Sequence, residues 1–153
     1  MQLSKKTMRK IDRNAIVPYS AKQMYDLVGD FLSYPEFLPW CTNAILHTSN
    51  PNFLEASLEF QRNGLRKSFR TKNKLTPGIA IDIELIDGPF RCLEGKWSFD
   101  DLGTDGSKVS LNFNFEFKNQ LIDKLLGSYF EDTCNSLVSS FTLRAKDVYK
   151  RNI

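Results

Sequence analysis

Residues 54–75 read LEASLEFQRNGLRKSFRTKNKL, and this stretch decides the architecture. Asn63-Gly64 is the residue pair best suited to the two left-handed central positions of a type I′ turn. A turn there places Leu58 opposite Phe69, Ala56 opposite Thr71 and Glu55 opposite Lys72. Apolar then meets apolar on one face and opposite charges meet on the other. Turn chemistry and alternation therefore specify the same hairpin.

Strand character spreads outward from this hairpin. Downstream, Asp87-Gly88-Pro89 marks a second hairpin. A three-residue loop there sets Ile83 across from Leu93, Ile81 across from Gly95 and Ile79 across from Trp97. Further on, Val109, Leu111, Phe113, Phe115 and Phe117 alternate with Ser110, Asn112, Asn114 and Glu116, a half-buried strand pattern. Upstream, a strand from about Thr7 to Val17 is closed by Pro18. Ser20 with Gln23 forms a capping box, and Met24, Leu27, Val28 and Phe31 give the following helix one apolar face. The next segment, SYPEFLPWC (33–41), contains Pro35 and Pro39, which allow at most a short helical turn. Tyr34, Phe37, Leu38, Trp40 and Cys41 nevertheless crowd it, so this loop has to fold back onto apolar surface.

From about Gln120 to Lys150 the period turns helical. Ile122, Leu126, Phe130, Cys134, Leu137, Phe141, Ala145 and Val148 make one stripe, with Gly127 as a weak point near the start. At about 1.5 Å per residue such a helix crosses a whole sheet. The order of elements predicts an α+β fold, with a curved antiparallel sheet of about six or seven strands around a long C-terminal helix. Residues 1–153 read as one domain.

Composition narrows the class. The chain is 41% hydrophobic and 25% charged, which excludes a disordered chain, and no apolar run approaches the roughly 18 to 20 residues of a membrane span. The basic start has no apolar run behind it, so it does not read as a secretory signal. Strand pattern begins almost at once, which argues against a mitochondrial transit peptide. Cys41, Cys92 and Cys134 are odd in number and lack CxxC spacing, which suits a reducing, cytoplasmic setting. These thiols and His47 share no metal-ligand spacing, and His47 in ILHTS reads as an edge-strand histidine. The net charge of +3 permits contact with RNA or an anionic membrane without requiring either.

The inward positions are unusually aromatic: Phe60, Phe69, Trp97, Phe99, Phe113, Phe115 and Phe117 on strands, Phe130 and Phe141 on the helix. The plainer reading is a packed core. Thr71 and Asn73 share the inward parity of Phe69, however, and buried polar groups need partners from protein, water or ligand. A few polar groups converging in an apolar concavity make a small-molecule site. Phe69, Trp97, Phe113, Phe115, Phe130 and Phe141 are thus candidates for an apolar ligand, with Thr71 and Asn73 as its polar contacts. On the opposite parity, Arg66, Arg70, Lys72 and Lys74 form a basic stripe suited to phosphates or anionic lipid head groups. The plainer account is a solvated face balanced by Glu55 and Glu59 of the neighbouring strand. Asp82, Glu84 and Glu94 face outward, which leaves no inward acid–base pair and predicts a binding protein rather than an enzyme.

The segments VPYSAKQMYDLVGDFLSYPEFLPWC, SFRTKNKL, LIDGPFRCLEGKWSF and SSFTLRAKDVYK together resemble the coenzyme-Q-binding, polyketide-cyclase-like branch of the START (SRPBCC) superfamily. The resemblance runs from about residue 11 to residue 150. It implies a helix-grip fold holding ubiquinone or a similar polyisoprenoid in a cavity, as a quinone chaperone supporting respiratory electron transport. Toxin-like members of the branch imply instead a regulator that binds the large ribosomal subunit and blocks subunit joining. Polyketide cyclases share the fold, which by itself assigns no activity. Tyr34, Phe37, Leu38 and Trp40 match the family's FLPWC-type motif, which implies a place at the cavity mouth. The expected ligand is a bound lipid or quinone with no other cofactor. The expected setting is a bacterial cytoplasm, peripheral to the inner membrane, with a ribosomal subunit as the alternative partner and no DNA.

Overall fold

The computed structural model describes residues 8–150. The strands are β1 (Arg9–Val17), β2 (Cys41–Ser49), β3 (Phe53–Arg62), β4 (Leu65–Thr76), β5 (Ala80–Asp87), β6 (Phe90–Leu102) and β7 (Gly106–Phe117). They form one antiparallel sheet in the order β1-β7-β6-β5-β4-β3-β2, so each strand from β2 to β7 pairs with its sequence neighbour and β1 closes on β7. Residue Thr7, where the first strand was expected to start, lies outside the described residues.

Local chemistry accounts for the clearest elements. Asn63 and Gly64 both adopt positive φ (50° and 82°), as a type I′ turn requires. Leu58 pairs with Phe69, Ala56 with Thr71 and Glu55 with Lys72, the predicted register. Helix α1 (Ala21–Val28) starts with both hydrogen bonds of the capping box: Gln23 N–H donates to Ser20 Oγ at 3.0 Å and Ser20 N–H to Gln23 Oε1 at 2.9 Å. Met24, Leu27, Val28 and Phe31 are all buried. The proline-flanked segment that follows contains a 3₁₀ turn (Phe31–Ser33) and the four-residue α2 (Tyr34–Phe37).

Two expectations are corrected. In the second hairpin Ile83 pairs with Gly95 and Ile81 with Trp97, two residues off the predicted register, and Ile79 lies exposed in the β4–β5 turn. The cause is a pair of irregularities at the hairpin tip. The β4–β5 ladder slips between Arg70 and Thr71, and the β6–β7 ladder slips between Phe90 and Cys92. Because the error is even, the predicted inward set stays inward.

The C-terminal helix is likewise interrupted rather than continuous. It runs as α3 (Gln120–Ile122), a π-helical turn (Asp123–Gly127), α4 (Ser128–Asn135) and α5 (Leu137–Val148). Arg9 of β1 clamps the π turn, donating to Asp123 at 3.0 Å and 3.1 Å and to Glu131 at 2.6 Å. The break at Ser136 has a local cause: its hydroxyl donates to Thr133 O at 2.8 Å and competes with the helical ladder. Past Ala145 the predicted stripe fails. Val148 is exposed, and Tyr149 packs instead, its hydroxyl donating to Gln23 O at 2.9 Å.

Candidate ligand cavity

The concave face of the sheet and the terminal helices do not meet completely. Between them lies a partly open cavity of about 70 Å³, measured as the space open to the centre of a water-sized sphere. At roughly 10 to 15 Å³ per water on that measure, the enclosed part holds about five waters or one substituted ring.

Strand alternation and helix stripe together supply the wall. Nine of the expected residues line it: Tyr34, Trp40, Phe69, Thr71, Asn73, Trp97, Phe113, Phe130 and Phe141. Three do not. Phe37 packs against Tyr34 and Phe141 with Arg144 over its ring, Leu38 is buried beneath the loop, and Phe115 lies among Phe90, Phe117 and Phe130. These three pack the core around the wall. The wall also includes Leu58, Ile83, Leu93 and Leu111 from strands and Phe31, Thr133, Cys134 and Leu137 from the helical side. For all but Thr133, which lay off the predicted stripe, strand parity or a helix's apolar face pointed inward already; the place where the helix stands off the sheet was missing.

The aromatic walls are held firmly. Tyr34 donates its hydroxyl to Val28 O and sits 4.9 Å from the Phe31 ring and 5.3 Å from Phe141. Trp97 stacks on Phe99 at 6.2 Å and meets Phe141 edge-on at 5.5 Å. Phe130 contacts Phe60, Phe69, Phe90, Phe115 and Phe117, all with ring centres within 6.0 Å. Phe113 lies across its β-partner Gly95, where a Cβ would come within 2.2 Å of the ring. Glycine there lets the Phe113 ring settle onto the sheet instead of filling the cavity.

The polar part of the wall is small and incomplete. Asn73 is fully buried, and neither its Nδ2 nor its Oδ1 has a hydrogen-bond partner. Each unmatched buried group costs roughly 1–3 kcal/mol; Ser107 Oγ and Arg144 Nε are also buried without a partner, but of the three residues only Asn73 lines the cavity. Thr71 and Thr133 are also buried against the cavity. The titratable wall residues are Tyr34 and Cys134, and burial pushes both pKa values upward, well above 10 for Tyr34. Both stay neutral at pH 7, so the cavity is apolar and uncharged.

The outer face of β4 is different. Arg70 pairs with Glu55 at 2.7 Å, Arg66 lies 3.8 Å from Glu59, and Lys72 sits 4.9 Å over the Phe53 ring. Lys72 and Lys74 stand opposite Glu84 and Asp82 of β5. His47 is exposed on edge strand β2, its Nε2 2.7 Å from Ser57 Oγ. Among the described residues no helix is long and apolar enough to cross a membrane.

A curved sheet closed by terminal helices around an apolar, uncharged cavity defines a helix-grip protein of the hydrophobic-ligand-binding class. The chain belongs to the family described as polyketide cyclase / dehydrase and lipid transport, whose pattern matches residues 17–142. It is 42% identical over 142 residues to the ribosome association toxin RatA of Escherichia coli K12, covering 93% of this chain and 90% of that one. It is 28% identical to the mitochondrial coenzyme Q-binding protein COQ10 homolog B of Xenopus laevis, covering 89% of this chain and 57% of that one. Among solved structures, the Zhui aromatase/cyclase superposes with a TM-score of 0.81 at 14% identity, over 94% of this chain and 96% of that one, a likeness of fold alone.

Proposed function

We propose that the protein binds a hydrophobic molecule bearing one small polar end, a polyisoprenoid quinone first among candidates, and carries it without transforming it. The observation that carries this reading is the unpartnered Asn73 amide in an otherwise apolar cavity. An amide with no ligand to meet would be better replaced by a leucine. The lipid-transport description of the family and the coenzyme Q-binding name of a relative point the same way. The enclosed space suits a ring, and a prenyl tail would extend past it only as the wall opens. The absence of a carboxylate or imidazole from the wall supports a carrier over a cyclase, because acid–base catalysis needs a group that titrates near the working pH. The setting we propose is the cytoplasm, with the inner membrane as the source of lipid.

A second reading rests on the relatives named as ribosome association toxins: a regulator that docks on a ribosomal subunit. The stripe Arg66, Arg70, Lys72 and Lys74 is too well balanced by carboxylates to supply that contact alone. The test is mass spectrometry of solvent-extracted lipid from protein purified gently from a quinone-containing bacterial host. Near-stoichiometric ubiquinone or menaquinone supports the carrier. A protein that arrives empty and binds no added quinone refutes it, and co-sedimentation with ribosomal subunits then decides the second reading.

A further inference from the structure

We infer that Asn73 selects the hydroxyl-bearing, reduced form of a ring ligand over its oxidised form. The inference rests on the cavity being a ligand site and goes on to name the chemistry of its occupant. A primary amide offers one donor group and one acceptor, and both of Asn73's face the interior unmatched. A quinone ring presents acceptors only. Its carbonyl satisfies Nδ2 and leaves Oδ1 buried and bare. A ring hydroxyl does both at once, donating its proton to Oδ1 while its lone pair accepts from Nδ2. No donor of the remaining wall, the hydroxyls of Thr71 and Thr133 and the indoles of Trp40 and Trp97 included, bonds Oδ1. Tyr34 has spent its proton on Val28 O, and neither Thr71 nor Thr133 bonds the amide.

The surroundings magnify the difference. The amide is fully buried, so a ring ligand that fills the cavity displaces the water that could repair a mismatch, and the neutral wall provides no charge to outweigh it. Sites built to hydrogen-bond a substrate hydroxyl discriminate against analogues that lack it, because a buried group is left unpaired. Within the quinone reading, the reduced hydroquinone head group is thereby the form the amide favours.

The experiment is an anaerobic titration of the full chain with decylubiquinone, its reduced quinol and the dimethyl ether of that quinol. The ether keeps the ring and oxygens but has no donor. Trp40 and Trp97 are the two tryptophans of the chain and both line the cavity, so intrinsic fluorescence reports occupancy. Wild type should bind the quinol on the order of tenfold to a hundredfold tighter than either the quinone or the ether. In Asn73→Leu the three affinities should converge while the variant still binds. Equal wild-type affinity for all three would overturn the inference and leave the carrier reading standing, with water as the partner of Asn73. Binding of none of them would overturn both. The wild-type ratio decides by itself, so a variant that failed to fold would not leave the question open.

Discussion

On the outer face of β4, Arg70 is held 2.7 Å from Glu55 and Lys72 lies over the Phe53 ring, whereas on the inner face Asn73 is buried with both ends of its amide unbonded. The outer side chains alternate with the inner ones along a single strand, so composition cannot explain the contrast. The outer charges have partners although water would have served them. The inner amide lacks any protein partner. Matched charges on a solvated face need no purpose beyond solubility. An unmatched amide beside a cavity costs stability unless something in the cavity meets it, which is why the inner face carries the proposal and the outer face does not.

The largest effect separates wall from void. Trp97→Ala should destabilise the protein by about 3–5 kcal/mol in urea denaturation followed by circular dichroism, because the indole is 3% exposed and braced by Phe99 and Phe141. A loss below about 1 kcal/mol would mean the ring borders open space and bears little packing. Gly95→Ala comes next. Its methyl group would drive Phe113 into the cavity, so stability should fall by about 1–3 kcal/mol and ligand affinity should fall with it. Unchanged affinity would place the ligand away from Phe113.

Asn73→Leu should act in the opposite direction. Removing both unmatched groups should stabilise the ligand-free protein by about 1–2 kcal/mol, read as a rise in urea midpoint. A drop would show that ordered water already satisfies the amide and would weaken the contrast between the two faces.

Much of this contrast was legible in the sequence, for identifiable reasons. The register of β3 with β4 followed from Asn63-Gly64, since only one loop length satisfies both that turn and the alternation. Asn73 and Thr71 could be placed inward from that register alone. The β5–β6 register was not legible, because the slips beside Thr71 and Phe90 leave no local signature. The break at Ser136 was missed as well: it depends on a side chain choosing Thr133 O over solvent, a choice made by packing. Cavity membership failed for Phe37, Leu38 and Phe115 because periodicity tells which face a residue takes and not how closely the opposite layer approaches. Gly95 carried no signal without its cross-strand partner Phe113.

The smallest effect tests the outer face. Reversing both charges with Arg70→Glu and Lys72→Glu sets like charges against Glu55 and Glu84. Arg70 is 40% exposed at its side chain and Glu55 24%, so the pair is a surface contact worth about 0.2–1 kcal/mol. The double variant should therefore lose no more than about 1 kcal/mol per pair, and the loss should shrink as salt rises, since charges at this exposure are screened within about 10 Å at 0.1 M. Cavity binding of quinol should be unchanged, because both side chains point away from the wall. Co-sedimentation with ribosomal subunits separates the remaining alternatives. If the stripe is only a balanced surface, reversal leaves any association intact. If association falls more than tenfold while the melting temperature holds, the stripe is a docking surface despite its ion pairs. The two faces of β4 would then differ in what they bind and no longer in whether they bind.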